Sequence, residues 1–363
     1  MRGFSIKLLQ WYKLNQRDLP WRRSKDPYTI WISEIILQQT RVNQGLSYYQ
    51  NFIKTFPTIR DLAKSSSDEV MKAWQGLGYY SRARNLHETA KHIVKNLDAA
   101  FPTTFNEIIK LKGIGIYTAS AISSIAFNER KAVVDGNVYR VISRLFGIAD
   151  PIDSTKGKTI FQEFANKLIS SKNPGDYNQA IMEFGATVCK PKNPSCDSCI
   201  FLEDCFAFRN GKINELPVKH KKTKVKTRFI NYVLFRHGEK IMIRKRVEND
   251  IWQSLYEFYS FAEGEQIDLV KTKEFPFKNI LPSSTIQSFS RFETFKHQLS
   301  HQNIFCTIGI VKLKQPFAEK GYRWVNINTL HKYAFPRVLD RFLTREGFLL
   351  PKKKVNLRNK IQH

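Results

Sequence analysis

The chain has 363 residues and 42% hydrophobic content, enough for substantial cores and more than one average domain needs, so two domains are expected. Lysine and arginine outnumber aspartate and glutamate by 59 to 32, a net charge of +27 that points to a polyanionic partner, nucleic acid ahead of a membrane surface. No apolar run approaches transmembrane length, and residues 1–16 are interrupted by polar and charged side chains, unlike the apolar core of a signal peptide, so a cytosolic protein without membrane association is expected.

Residues 1–205 carry apolar spacings near 3.6, broken at Leu19-Pro20, Phe56-Pro57, Phe101-Pro102 and Asn173-Pro174, and predict helix after helix. Asp26-Pro27 signals a helix start and places Glu34 inside the helix that follows, among Trp31, Ile32, Ile35 and Ile36. The apolar-periodic segment 105–111 leads into Leu111-Lys-Gly-Ile-Gly115 and a small-residue helix over 118–126. Val133-Val134 then precedes Asp135-Gly-Asn137, which opens a helix with apolar positions 138, 141, 142, 145 and 146. The basic stretch 219–228 lacks apolar periodicity and reads as a solvated linker. Beyond it the pattern changes: 229–235 and 240–246 predict a hairpin around Gly238, 303–313 another strand, and 325–334 and 337–346 two helices, making this half α+β. The tail from Pro351 is basic. The expected division is a helical domain over 1–210, a linker over 211–228, an α+β domain over 229–348 and a tail over 349–363.

Four of the five cysteines, Cys189, Cys196, Cys199 and Cys205, fall within seventeen residues at C-x₆-C-x₂-C-x₅-C spacing, a metal site in a reducing compartment rather than a disulfide framework. Thiolates at this density suit Zn²⁺ or an iron–sulfur cluster, and the x₂ gap does not decide between them. Cys306, in a predicted strand, reads as a buried apolar residue. Gly113 and Gly115 permit a tight hairpin, with free backbone N–H groups at the next helix start to hold a phosphate; alone, the pair equally fits an ordinary helix–helix turn. Asp135 can cap its helix or face a developing cation on a sugar. Glu34, in so apolar a run, has its protonated form favoured, as a general acid requires, although a glutamate on a solvated helix face is the default for such a position.

Several motifs together resemble the MutY family of adenine DNA glycosylases, within the helix-hairpin-helix, endonuclease III-like superfamily. They are Leu19-Pro-Trp-Arg22, Trp31-Ile-Ser-Glu-Ile-Ile-Leu-Gln-Gln-Thr40, Trp74-Gln-Gly-Leu-Gly-Tyr-Tyr-Ser-Arg-Ala-Arg84, Val134-Asp-Gly-Asn-Val138 and the cysteine loop. The resemblance implies a multidomain protein: an all-α helix-hairpin-helix glycosylase domain with an iron–sulfur loop, then an α+β Nudix-like domain that recognises 8-oxoguanine. It implies one [4Fe-4S] cluster on the four cysteines, and a monomer in the cytoplasm, at the nucleoid. The partner implied is double-stranded DNA with adenine opposite 8-oxoguanine or guanine.

By the same resemblance Glu34 protonates the flipped adenine, Asp135 stabilises the oxocarbenium-like sugar, and Asn137 positions Asp135. Tyr117 stands where strand-cutting relatives hold a lysine, which implies a glycosylase with little or no lyase activity; on residue type alone it is as well read as a packing aromatic. Gln39 and Tyr79 match residues that fill and wedge the gap left by the flipped base. Gln179 matches a residue of the adenine pocket, and Arg22 joins that pocket or binds phosphate. In the second domain, Asp250–Phe258 and Lys296–His301 carry the likeness, and Ser300 and His301 are placed to read the oxidised guanine, or else form a hairpin turn. Leu299 departs from the family's usual aromatic, and the absence of a G-x₅-E-x₇-R-E-x-x-E-E-type box argues against pyrophosphatase activity. Two other functions compete: an endonuclease III-like enzyme for oxidised pyrimidines, which Tyr117 disfavours, and a non-enzymatic iron–sulfur DNA-binding protein, which Glu34, Asp135 and Asn137 disfavour.

Overall fold

The structure, a computed structural model, describes residues 3–220, 225–262, 264–265, 281–290, 292–299 and 301–350. Ser300, residues 221–224 of the expected linker and the tail from Pro351 lie outside the described residues. The helices in chain order are α1 (Phe4–Asn15), α2 (Pro27–Leu37), α3 (Val42–Thr55), α4 (Ile59–Lys64), α5 (Ser67–Trp74) and α6 (Ser81–Asn96). They continue with α7 (Phe105–Ile108), α8 (Ile116–Phe127), α9 (Gly136–Phe146), α10 (Thr155–Leu168), α11 (Pro174–Thr187) and α12 (Phe206–Arg209). Their starts follow local chemistry: Asp26 accepts from the Tyr28 and Thr29 amides, and capping boxes at Thr58, Ser66 and Thr104 open α4, α5 and α7.

The chain separates into two compact units, residues 1–65 with 84–222, and residues 66–83 with 223–363. The first is helical, around Leu8, Val138, Ile142, Phe161, Tyr177 and Phe184. The division departs from the expected 1–210 boundary at residues 66–83. Polar contacts explain it: Asp68 binds Lys245 Nζ at 2.5 Å and Tyr256 Oη at 2.8 Å, and Gln75 Nε2 donates to Asp340 Oδ1 at 2.6 Å.

The second unit contains a mixed sheet of β1 (Lys226–His237), β2 (Lys240–Lys245), β3 (Tyr256–Glu257), β4 (Tyr259–Phe261), β5 (Ile286–Phe289), β6 (Glu293–Gln298), β7 (Gln302–Leu313) and β8 (Tyr322–Asn326). The expected hairpin is the antiparallel β1–β2 pair, but the longest ladder is parallel, Lys226–Arg236 of β1 against Gln302–Lys312 of β7. Cys306 is fully buried in β7. Of the two expected helices, α13 (Arg337–Arg345) forms and packs Phe342 on Phe258, whereas 325–334 is the end of β8 followed by a 3₁₀ turn over Ile327–Lys332. Val325 pairs with Ile241 there, so sheet pairing overrides the local helical spacing. No described helix is long and apolar enough to cross a membrane.

Candidate active site

The middle of α2 and the starts of α8 and α9 meet at one cavity of about 390 Å³ in the first unit. Glu34 enters from α2, whose residues from Ile30 to Ile36 are all buried, and is itself 8% exposed. Tyr117 sits one residue into α8, and its hydroxyl donates to Glu34 Oε2 at 2.7 Å. Burial pushes the Glu34 carboxyl up to about 7, helped by the nearby charge of Asp135, while the Tyr117 hydrogen bond and Arg22 pull it down without prevailing. Burial likewise raises the Tyr117 phenol well above its ordinary value, so it remains a donor.

Asp135 caps α9. Its Oδ1 accepts from the amides of Asn137 (2.9 Å) and Val138 (2.8 Å), and its Oδ2 from Asn137 Nδ2 at 2.8 Å. Capping and a role toward the cavity are therefore compatible: the cap fixes the carboxylate, and the residue still lines the cavity. Burial raises Asp135 above the usual carboxylate range, opposed by these same hydrogen bonds and by Arg140. Arg140 holds Asn137 in turn, donating to its Oδ1 at 2.9 Å, to the Gly185 carbonyl at 2.7 Å and to the Cys189 carbonyl at 2.6 Å. A Cβ on Gly185 would lie 2.7 Å from the Asn137 Cβ, so glycine there lets α11 approach α9. The segment leading to Asp135 is clamped by fully buried Asn178, which accepts from the Val133 amide and donates to the Lys131 carbonyl and Ser124 Oγ.

Arg22, Gln39, Gln179 and Asn137 line the same cavity as Glu34, Tyr117 and Asp135. Glu183 completes it: Arg17 grips both its oxygens at 2.6 and 2.8 Å, and Arg22 binds Oε2 at 2.7 Å. Burial opposes its ionisation, yet the two guanidinium groups hold it down at about 2. Sequence reasoning passed over Glu183, Arg17, Arg140, Asn178 and Met182. The available signal for Glu183 was its position one turn beyond Gln179 on α11; for Arg140 it was a charge among the apolar positions of α9.

Other expected residues fall elsewhere. Gly113 lies in the turn before α8 with φ 77°, where a Cβ would also meet the Asn85 side chain at 2.6 Å. Gly115 precedes the helix with open space around it. Tyr79 belongs to the second unit and is 44% exposed with φ 46°; Gln39, although it lines the cavity, is likewise exposed with φ 58°. Such left-handed backbone is uncommon for residues bearing a Cβ. His301 is half-buried just before β7, and the Leu299 amide donates to the Gln302 carbonyl.

The four loop cysteines are all half-buried. Among the described residues no three or more His, Cys, Asp or Glu side chains are drawn together as a ready metal site. Arg144 organises the loop, donating to the Lys190, Pro191 and Leu216 carbonyls and lying 3.6 Å from Cys189 Sγ. The Phe201 amide donates to Cys199 Sγ at 3.4 Å.

A family profile described as "HhH-GPD superfamily base excision DNA repair protein" matches residues 32–167, and one described as "NUDIX domain" matches residues 231–345. The adenine DNA glycosylase of Buchnera aphidicola subsp. Schizaphis graminum is 33% identical over 346 residues, covering 94% of this chain and 97% of that one. The Homo sapiens adenine DNA glycosylase is 44% identical over 224 residues, covering 59% of this chain and 41% of its own length. Among solved structures, a thermostable thymine-DNA glycosylase superposes with a TM-score of 0.53 at 30% identity, over 57% of this chain and 96% of its own. With one relative matched over nearly its whole length and a profile falling on each half, the chain belongs to the adenine DNA glycosylase family.

Proposed function

We propose that the protein removes adenine paired with 8-oxoguanine, and with guanine, by hydrolysis of the N-glycosidic bond. The observation that carries this reading is the buried Glu34, held near neutrality in its proton affinity and facing the same cavity as the capped Asp135. Glu34 then gives its proton to a ring nitrogen of the flipped base, which turns adenine into a better leaving group. As the bond to C1′ breaks, positive charge develops on the sugar, and Asp135, fixed by Asn137, opposes it. Water adds to C1′, leaving an abasic site and free adenine.

The enzyme is monofunctional on this reading. Tyr117 has no amine, and none of the described residues lining the cavity is a lysine, so no imine forms there. Gly113, Gly115 and the start of α8 hold a phosphate; Gln39 and Tyr79, on strained exposed backbone, enter the stack where the base has left. Ser300 and His301 read the oxidised guanine edge. The catalytic domain spans 1–210 apart from residues 66–83, which belong with the second unit; the linker is 211–228, the Nudix-like domain 229–348 and the tail 349–363, and the protein acts as a monomer in the cytoplasm at the nucleoid.

Cys189, Cys196, Cys199 and Cys205 would hold one [4Fe-4S] cluster. The donor set fits: four half-buried cysteines in one loop, with N–H donors already aimed at two of the sulfurs. Such a cluster supplies structural rigidity to the loop, and the chemistry at the sugar needs none of its electrons.

The deciding experiment offers duplexes with adenine opposite 8-oxoguanine, adenine opposite guanine, or an oxidised pyrimidine opposite guanine, and reads strand breaks with and without alkali. Adenine release that needs alkali to become a break is expected. Cleavage of the pyrimidine duplex alone, or breaks without alkali trapped by borohydride, would overturn the proposal.

A further inference from the structure

Tyr117 has one hydroxyl hydrogen and two acceptors within reach, Glu34 Oε2 at 2.7 Å and Met182 Sδ at 3.2 Å. When Glu34 is ionised, its charged oxygen takes that hydrogen, because a carboxylate is a far better acceptor than a thioether. When Glu34 carries a proton, as a general acid must, its oxygens are weaker acceptors and the sulfur competes better for the phenol hydrogen. Met182 is therefore the second acceptor for that hydrogen. It also lines the cavity and is half-buried, whereas Met71 and Met242 are each 1% exposed.

We propose that Met182 is an oxidation site in the active-site wall, and that its sulfoxide takes the Tyr117 hydroxyl from Glu34 and slows base excision. The inference rests on Glu34 acting as the acid. A peroxide supplies the oxygen: the O–O bond breaks, an S–O bond forms, sulfur loses two electrons and hydrogen peroxide leaves as water. The sulfoxide oxygen is a strong acceptor where the thioether was a weak one. It keeps the phenol hydrogen in both protonation states, so ionised Glu34 loses its donor and holds its next proton more tightly. The proton is then harder to deliver to the base. Methionine sulfoxide reductases reverse the change, which makes the site a reversible brake.

The test uses the full-length protein, dosed with hydrogen peroxide and compared with its own untreated rate. Peptide mass spectrometry is expected to find the added oxygen at Met182 before Met71 or Met242. Single-turnover release of adenine should fall several-fold in proportion to that oxidation, and the pH at which the rate declines should rise by about one unit, the scale of one hydrogen bond to a charged group. Treatment with methionine sulfoxide reductases A and B should restore both, and in Met182→Leu the treated-to-untreated ratio should stay near one. Full sulfoxide at Met182 with an unchanged rate and pH profile would overturn the inference. So would an equal loss in Met182→Leu, which would place the damage at the cysteines or elsewhere. Failure of the adenine reading itself is separable, because it would show in the untreated protein.

Discussion

Glu34 and Glu183 reach one cavity from two helices, are 8% and 1% exposed, and end with opposite ionisation. Burial resists charge at both. At Glu34 the neighbours are a neutral phenol and a second carboxylate, so burial prevails and the acid titrates at about 7. At Glu183 two guanidinium groups supply three hydrogen bonds, and the same burial loses to them, leaving the acid ionised down to about 2. Depth in the protein thus does not set protonation; the number of cationic donors in contact does. One wall of the cavity exchanges a proton near neutral pH while the other keeps a fixed negative charge.

The largest effect should come from removing the exchangeable proton. Glu34→Gln keeps the shape and is expected to lower single-turnover excision by about 10²–10⁴-fold with duplex binding retained. Asp135→Asn should act on a similar scale by removing the opposing charge. Glu183→Gln should instead lower stability, by leaving Arg17 and Arg22 without their anion, and leave the decline of rate with rising pH where it was. A decline that moved in Glu183→Gln would erase the contrast between the two walls.

Stability against pH should separate the walls next. The folded pKa of Glu34 lies above its unfolded value of about 4.5, so its cost is absent below pH 4.5 and grows as pH rises through 7, reaching on the order of 3 kcal/mol. Glu183 has a depressed folded pKa, so its contribution is present above about 4.5 and is lost as pH falls toward 2. Denaturant unfolding across pH 3–8 should therefore show Glu34→Gln gaining on the parent chain above pH 5, and Glu183→Gln losing less than the parent chain below pH 4. Parallel curves for the two variants would refute the assignment of opposite shifts.

Arg22 is the element the walls share, since its charge lowers both carboxyls. Arg22→Met should raise both transitions, that of Glu183 more, because it also loses a direct 2.7 Å bond. Nuclear magnetic resonance titration of the two carboxyl carbons would read this, and a shift at Glu34 alone would contradict it.

Local signals made one wall legible in the sequence and hid the other. Asp26-Pro27 and Asp135-Gly-Asn137 each cap a helix, so the starts of α2 and α9 followed from neighbouring residues, and the longer motifs around Glu34 and Asp135 carried the resemblance that singled them out. Glu183 takes its meaning from Arg17 and Arg22, 166 and 161 residues away, and no spacing rule reaches that far. The fold divides the same way. Helices of the first unit and the β1–β2 hairpin were written locally, whereas the parallel β1–β7 ladder and the strand ending at Asn326 depend on distant partners. Residues 66–83 read as one more helical segment, and only Asp68 and Gln75, bonded to Lys245, Tyr256 and Asp340, assign them to the second unit.

The smallest effect, and the finest test of the contrast, is Tyr117→Phe. The phenol donates to Glu34 and lowers its proton affinity, but it does not act on Glu183. Removing one hydroxyl should therefore move the high-pH decline of the excision rate upward, by about one unit at most on the scale of a hydrogen bond to a charged group. The rate below that pH should fall only several-fold, because Glu34 keeps its proton and loses only an orienting partner. Acid unfolding, which reports Glu183, should stay where it is. A pH–rate profile and an acid-unfolding curve on the same variant decide the matter: if the two move together, the carboxyls are coupled through the cavity rather than set separately by their own neighbours.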